Sequence, residues 1–402
     1  MNYSAREIMQ YVEEEDIKFI RLAFCDLYGN QKNISIMPNE LERAFSRGIA
    51  IDSSAIAGFG GDIHSDLFLH PDPSTIAILP WRPEHGKVVR MFCDITYQDG
   101  RIFEADTRSI LKKAIRDAGE KGLRFFFGSE LEFYLFKTDE NGKRTYEPYD
   151  TAGYMDIAPE DKGENVRRAI CLTLEQMGII PESSHHESGP GQNEIDFRYS
   201  DPLSAADNAI TFRSVVKTIA AANGLYADFS PKPLEGKPGS GFYINISVKG
   251  DGEQEKFPYI IGGIMDKIKD MTAFLNPDEL SYKRLGNCKA PKYISWSNEN
   301  RSQLIRVPVA ENENKRVELR SPDGTANPYL AFALLIYAAM HGIENKLTPP
   351  PASNINLFAA PAKVLADFDT LPESLEDAGN IATESEFIAS HLPSSIIKAY
   401  GR

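Results

Sequence analysis

Apolar and polar residues repeat along this chain with two periods, 3.6 and 2, and the points where one gives way to the other mark out the elements. The helical period comes first and predicts a helix from about Ser4 to Glu15. Strand-like runs follow. IKFIRLAFCDL alternates in twos, YGNQ reads as a turn, and TIAILPW and KVVRMFCDITY predict two more strands, with PNELERAFSRG an intervening helix. These segments make a small α+β unit over residues 1–100, closed by the Asp99-Gly100 turn. A new pattern starts at Asp106, which can cap the helix SILKKAIRDAGEKG, with Gly122 as its terminator.

Over residues 101–402 strands alternate with long helices. LRFFFGSELEFYLF, NEIDFRYS, GFYINISV, SQLIRVP and KRVELRS predict strands. ENVRRAICLTLEQMG, PLSAADNAITFRSVVKTIAAANG, FPYIIGGIMDKIKDMTAFL and ANPYLAFALLIYAAMHGIENK predict helices. Charged residues sit inside the strands, which predicts an antiparallel sheet with one polar working face. After LTPPPAS the last fifty or so residues are weakly patterned, and there is no internal repeat.

Composition narrows the partners. Hydrophobic residues make up 42% and charged residues 25% of the 402, ordinary globular values. The formal charge of −14 repels phosphate backbones and anionic lipid, so neither nucleic acid nor a membrane surface is an expected partner. No apolar run approaches the roughly 20 residues of a membrane span, and acids interrupt the start where a signal peptide is apolar. A cytoplasmic protein is expected. Cys25, Cys93, Cys171 and Cys288 are scattered with no CxxC pair, so they read as reduced thiols.

The strands hold the candidate chemistry. Glu130 and Glu132 in GSELEF leave one face of an apolar strand, and two adjacent carboxylates need a positive partner, most simply a hard divalent cation such as Mg²⁺. Glu187 and Glu194 flank a Gly-Pro-Gly loop, and Glu194 shares a face with Asp196. Arg316, Glu318 and Arg320 share another strand face, which alone also fits a solvated ion-pair ladder. Arg284, Arg301 and Arg306 lie beside apolar strands of an acidic protein and point to an anionic ligand, with an ordinary surface role as the plain alternative. PKPLEGKPGSGF is Gly-rich without the spacing of a Walker A or dinucleotide loop. No HExxH or other histidine metal pair occurs, and His185 and His186, being adjacent, diverge. From the residues alone, the chain reads as an enzyme that uses metal carboxylates and arginines on a polyanion such as a nucleotide.

Taken in order, DLFLHPDPSTIAILPW, GSELEF, HHESGPGQNEID, FSPKPLEGKPGSGF, NRSQLIRVP and KRVELRSPDGTANPYLAFA resemble the glutamine synthetase family over nearly the whole chain. The resemblance implies an α+β fold: a small N-terminal β-grasp-like domain (1–100) and a large catalytic domain (101–402) with a curved antiparallel sheet and outer helices. It implies ring-shaped homo-oligomers, a decamer, a dodecamer or a single ring, with each active site shared between neighbours. Its substrates would be ATP, glutamate or a related acid, and ammonia or another amine, with Mg²⁺ or Mn²⁺ as cofactor.

Residue by residue, the resemblance makes Glu132, Glu187 and Glu194 ligands of the metal beside the amino acid, and Glu130 and Glu318 ligands of the metal on the ATP phosphates. Arg284 and Arg320 match the arginines that hold the substrate carboxylate, with Gly239 in the same loop. Arg301 and Arg306 match those that neutralise the phosphoryl group in transfer. Ser247 falls in the nucleotide region, and Asp52 and Tyr154 at the ammonium site.

Several positions depart from the family pattern, among them Ala55, which stands at the family's second Ser after Asp52. Tyr243 and Asn245 replace the two loop histidines, which weakens the second metal site because a neutral phenol is a poor ligand. Lys289 stands where the family has the glutamate that takes a proton from ammonium, and a lysine of pKa about 10.4 cannot be that base at neutral pH. Phe358 replaces the tyrosine that some bacterial members adenylylate. The chain also lacks the longer family C-termini, so the ring-to-ring contacts those make are not expected. Two readings follow: a carboxylate–amine ligase acting through a γ-glutamyl phosphate, favoured with an amine other than ammonia, or a catalytically impaired relative that keeps the fold and nucleotide binding.

Overall fold

The computed structural model describes residues 3–60, 66–82, 85–250, 252–308 and 315–401. Its first sheet is built from β1 (Phe19–Cys25), β2 (Gln31–Ile36), β3 (Ile49–Asp52), β4 (Asp66–Pro71), β5 (Ala77–Ile78) and β6 (Val88–Thr96). The order is β2-β1-β6-β4-β3 with β5 added to β6, and the central pair β1 and β6 is parallel. Helix α1 (Ala5–Glu14) begins at Ser4, whose side chain accepts from the Glu7 amide in a capping box. Helix α2 (Leu41–Arg47) follows a short 3-10 turn at Pro38–Glu40. TIAILPW contributes only the two residues of β5, and β2, β3 and β4 are strands that the sequence pattern does not predict. β2 is an exposed, polar edge strand, β3 has only four residues, and β4, which alternates in burial, is a six-residue run that ends in Pro71.

The second sheet has nine strands. β7 (Arg124–Thr138), β8 (Arg144–Pro148), β9 (Pro181–His186), β10 (Gln192–Ser200), β11 (Leu225–Asp228), β12 (Phe242–Lys249), β13 (Trp296–Asn298), β14 (Ile305–Val307) and β15 (Val317–Leu319) run in the order β13-β14-β15-β12-β7-β10-β9, with β8 and β11 also paired to β7. All pairs are antiparallel except β13 with β14. The fifteen-residue strand β7 changes partners along its length, from β12 to β11 and β8, and register shifts in β10 bend the sheet further.

One face of β7 is apolar: Phe125, Phe127, Leu131, Phe133 and Leu135 are all buried. The helices on that side are α3 (Thr107–Glu120), α4 (Glu164–Gln176), α5 (Pro202–Ala222) and α8 (Pro328–Glu344), while α6 (Glu253–Leu275) and α7 (Glu279–Arg284) lie between α5 and α8 in the chain. Phe127 stacks on Phe332 of α8 with ring centres 4.3 Å apart, and Phe133 meets Phe212 of α5 edge-on. Asp106 caps α3 by accepting from the Arg108 amide, and Gly122 follows the helix with φ +70°, as the sequence predicts. The weakly patterned C-terminal stretch holds four short helices: α9 (Ala362–Leu365), α10 (Leu375–Glu384), α11 (Glu386–His391) and α12 (Ser394–Tyr400). Each is too short to show a full apolar stripe in sequence. Among the described residues, no helix is long and apolar enough to cross a membrane.

The apolar face of the second sheet is covered and the opposite face is polar and open. That opposite face carries the acidic positions of the strands.

Candidate active site

Strand alternation puts Gly128, Glu130 and Glu132 of β7 on the polar face, and antiparallel register sets partners beside them. Glu194 of β10 lies opposite Glu132, and Asp196 lies opposite Glu130. On the other side Tyr243 of β12 is opposite Glu130, while Asn245 is opposite both Gly128 and Glu318 of β15. Glu318 is in turn opposite Arg306 of β14. Four carboxylates in directly paired positions repel one another and lose hydration together. Burial, then Glu318 and Asp196, push the Glu130 carboxyl up to about 7. Burial and neighbouring acids likewise raise Glu132, Glu194 and Asp196, with Glu194 well above the usual carboxylate range. One oxygen of Asp196 is buried with no hydrogen-bond partner among the described residues.

Two groups on this face have carboxylate or imidazole atoms within 4.8 Å of one another. One is Glu130, Glu194 and Asp196; the other is His185, Glu187 and Glu194. These groups keep Glu187 with Glu194, as expected from sequence, but include neither Glu132 nor Glu318. The oxygens of Glu132 turn to the Gly241 amide at 2.5 Å and the Tyr243 hydroxyl at 3.3 Å. Both oxygens of Glu318 are held by arginines, Arg306 at 2.6 Å and Arg320. His185 is the site residue that the sequence reading misses. Its adjacency to His186 hides a spacing of two from Glu187 that places both on one side, and its Nε2 lies 3.2 Å from Glu187 Oε1. His186 points the other way, into a buried contact with Asp150 at 2.9 Å and the Glu187 carbonyl at 2.6 Å.

The donor set is mostly carboxylate oxygen, which suits a hard divalent ion such as Mg²⁺ or Mn²⁺ better than a soft one. The uncompensated charge and the partnerless Asp196 oxygen fit such an ion. Tyr243 and Asn245 oppose it locally, because each places a donor on a carboxylate that an imidazole would leave free. Tyr243 bonds to Glu132, and the Asn245 amide donates to Glu130 at 2.7 Å while accepting from Arg316 Nε at 3.0 Å.

The glycine-rich loop before β12 lies against Arg284. A Cβ on Gly239 would stand 2.2 Å from the Pro231 carbonyl and 2.8 Å from Arg284 Cγ, so the close approach requires glycine. Arg284 is 1% exposed and donates only to the carbonyls of Ser321 and Arg320, at 2.7 and 3.3 Å. Among the described residues it has no carboxylate in ion-pair range, which leaves its charge free for an anionic ligand. Arg320 packs over the Tyr243 ring at 4.4 Å, and burial is outweighed by Tyr243 and Glu318 in holding its pKa up.

Lys289 sits in a tight loop with φ +71°, donates to Ser188 Oγ at 3.0 Å and lies 4.9 Å from the centre of the Tyr154 ring. Tyr154 meets His185 edge-on. Burial raises the Glu187 carboxyl, but the His185 and Ser188 hydrogen bonds and the Lys289 charge outweigh it and hold the group low. Arg301 is exposed on the turn before β14. Ser247 lines a cavity of about 440 Å³ that runs along the polar face from Glu130 past Asn245 to Phe126 and Tyr199. Asp52 is exposed at the edge of the first sheet, where it accepts from the Ser54 amide and hydroxyl; among the described residues no bond joins it to Tyr154. Phe358 is exposed in the loop before α9.

The family model for the glutamine synthetase β-grasp domain matches residues 16–98, and that for the glutamine synthetase catalytic domain matches residues 104–402. A glutamine synthetase of Clostridium saccharobutylicum is 44% identical over 99% of this chain and 93% of its own length. One of Methanosarcina mazei is 44% identical over 98% of this chain and 92% of its own. In three dimensions the chain is similar to a solved GmaS/ADP complex, with a TM-score of 0.89 and 28% identity over 100% of this chain and 94% of the other.

Proposed function

The chain belongs to the glutamine synthetase family and is a glutamine synthetase-like, ATP-dependent C–N ligase, and on that premise we propose that it activates the side-chain carboxylate of glutamate as a γ-glutamyl phosphate and transfers the acyl group to an amine other than ammonia. The family uses ATP and a divalent metal. The observation that carries the finer reading is Lys289, whose ammonium lies over Tyr154 and acts on Glu187; in this reading the acceptor loses its proton there.

In this reading ATP occupies the cavity between Glu130 and Tyr199, with the base against the Phe126 and Tyr199 rings, Ser247 alongside, and the phosphates toward Asn245 and Arg316. A divalent ion held by Glu130, Glu194 and Asp196, and one held by His185, Glu187 and Glu194, would screen the phosphate charge. Arg284, beneath the Gly239 loop, pairs with the α-carboxylate of glutamate, and Arg320 lies beside it. The glutamate γ-oxygen attacks the terminal phosphorus, the bond to the ADP oxygen breaks, and Arg301 and Arg306 stabilise the charge on the transferring group. The amine nitrogen then attacks the γ-carbon, the bond to phosphate breaks, and the proton the nitrogen gives up passes to the departing phosphate. Lys289 cannot accept that proton as an ammonium, and its charge disfavours a cationic acceptor. An amine that arrives neutral avoids the charge repulsion and sheds one proton where a cationic one must shed two. Asp52 of a neighbouring subunit would complete the acceptor end in a ring of five or six chains, since within one chain its partners are those of Ser54.

GmaS, a gamma-glutamylmethylamide synthetase, gives loose support for an amine variant, whereas the more similar sequences are glutamine synthetases. Phosphate release from ATP and glutamate with ammonium, methylamine, larger amines and hydroxylamine tests the reading. Fastest turnover with ammonium would overturn the amine assignment, and no turnover with any acceptor would overturn the ligase reading itself.

A further inference from the structure

Lys289 has a fixed place at the acceptor end and no carboxylate partner of its own. Helix α7 ends at Arg284, and the chain then turns back in a tight loop. The Gly286 amide donates to the Ala290 carbonyl at 2.8 Å, and the Ala290 amide to the Asn287 carbonyl at 3.0 Å. Cys288 and Lys289 both stand at positive φ, +44° and +71°, a conformation that residues other than glycine rarely adopt and that concentrates at ligand sites. The Lys289 Nζ donates to Ser188 Oγ at 3.0 Å and lies 4.9 Å from the centre of the Tyr154 ring. Among the described residues, no carboxylate lies in ion-pair range of it. Glu187, the acid that feels its charge, already has His185 Nε2 on one oxygen at 3.2 Å and the Ser188 amide and hydroxyl on the other at 2.8 and 3.2 Å.

The acceptor end therefore has two sides of opposite charge, the acids of β10 and its loop on one and the ammonium of Lys289 on the other. A plain alkylammonium is drawn to the first and repelled by the second. A molecule with an amine at one end and a carboxylate at the other complements both, and Tyr154, 49% exposed, leaves the space beside Lys289 open. We propose that the acceptor is an amine that carries its own carboxylate, an amino acid, held through that carboxylate by Lys289 while its nitrogen faces the γ-carbon. The inference rests on the ligase reading and names the class of its acceptor. Lys289 favours the form of the amino acid that has already given its ammonium proton to solvent, because a nearby positive charge stabilises the carboxylate and disfavours a second cation. The free amine forms the bond to the γ-carbon, the carbon–oxygen bond to phosphate breaks with its electron pair on phosphate, and the proton that the nitrogen sheds passes to that phosphate. The product is a γ-glutamyl amino acid.

The test is steady-state turnover of the full-length assembled protein with matched acceptors, glycine against methylamine and β-alanine against ethylamine, each pair differing by one carboxylate. Phosphate release gives the rate, and mass spectrometry identifies the γ-glutamyl product. At least one amino acid should exceed its alkyl counterpart in kcat/KM by about tenfold or more. In Lys289→Gln that preference should be lost, with kcat/KM falling for the amino acid and rising for the alkylamine, whereas Lys289→Arg, which keeps the charge, should keep it. A lysine that only supports the loop would move both members of a pair together. The same preference in wild type and Lys289→Gln would show that the charge is spent inside the assembly and would overturn the proposal. Equal losses with all four acceptors would assign Lys289 to the phosphoryl group or the fold and would also overturn it. Alkylamines faster than both amino acids would overturn it while the amine reading stands, and no turnover with any acceptor would overturn the ligase reading together with it.

Discussion

The ammonium of Lys289 lies 4.9 Å from the centre of the Tyr154 ring, held there by a 3.0 Å hydrogen bond to Ser188 Oγ next to Glu187. A cation so placed acts on any second cation entering the same space. At about 4 Å two positive charges repel by roughly 1 to 4 kcal/mol, depending on local screening, which is about a fivefold or larger loss of occupancy. Lys289→Glu should therefore raise turnover with ammonium by about tenfold or more while leaving the KM for ATP near that of wild type. Steady-state phosphate release at varied ammonium measures it, and an unchanged ammonium rate with normal ATP binding would refute the role.

Metal affinity should depend on the two acidic groups unequally. Glu194 belongs to both groups of close ligand atoms, whereas Glu318 already has Arg306 and Arg320 on its oxygens. Calorimetric titration with Mn²⁺ should show a loss of about tenfold or more in Glu194→Gln and a much smaller one in Glu318→Gln. Tyr243→His should tighten binding, since it replaces a donor on Glu132 with a lone pair that can face the ion.

Proton linkage gives a separate check. The Glu130 carboxyl, raised by burial and by Glu318 and Asp196 to about 7, stays protonated in the metal-free fold to a higher pH than in the unfolded chain. The stability it contributes is full below about 4.5 and is lost as pH rises through about 7. Metal must displace that proton. Affinity for Mn²⁺ should fall as pH drops below about 7, and titrations at about pH 6 in buffers of different ionisation heat should reveal proton release. Equal affinity at about pH 6 and pH 8 with no proton release would contradict it.

Much of this site is legible in the sequence because strand alternation is a strong rule. The spacing of two in Glu130 and Glu132, and again in Glu194 and Asp196, is enough to fix their common face. What alternation cannot supply is register. The pairing of Glu194 with Glu132, and of Asp196 with Glu130, sets which carboxylates lie side by side, and the close groups it produces are not the sets expected from sequence. His185 is hard to read because its adjacency to His186 suggests divergence, while its alternation with Glu187 is the relation that matters. The edge strands of the first sheet are obscure for another reason: the exposed pattern of QKNISI has no buried side to betray a strand.

Arg108 joins the two sheets, and its removal should loosen one from the other. The side chain, 4% exposed on α3, contacts Asp72 at 2.9 Å just beyond β4, Asp94 of β6 at 3.0 Å, and Asp207 of α5 at 3.1 and 2.9 Å. Burial disfavours its charge, but Asp207 and its neighbours outweigh that and hold its pKa well up. Taking away one member of a buried charge cluster costs about 3–5 kcal/mol, because the partners are left buried and unpaired. Arg108→Met should therefore lower the denaturation midpoint and expose the junction near residue 100 to protease. Arg108→Lys should rescue little, since an ammonium cannot make the two-point contact to Asp207. Adding Asp207→Asn to Arg108→Met should cost less than the sum of the single changes, because the second removes the charge that the first left stranded. Additive losses in that double-mutant cycle would show that the guanidinium only fills space.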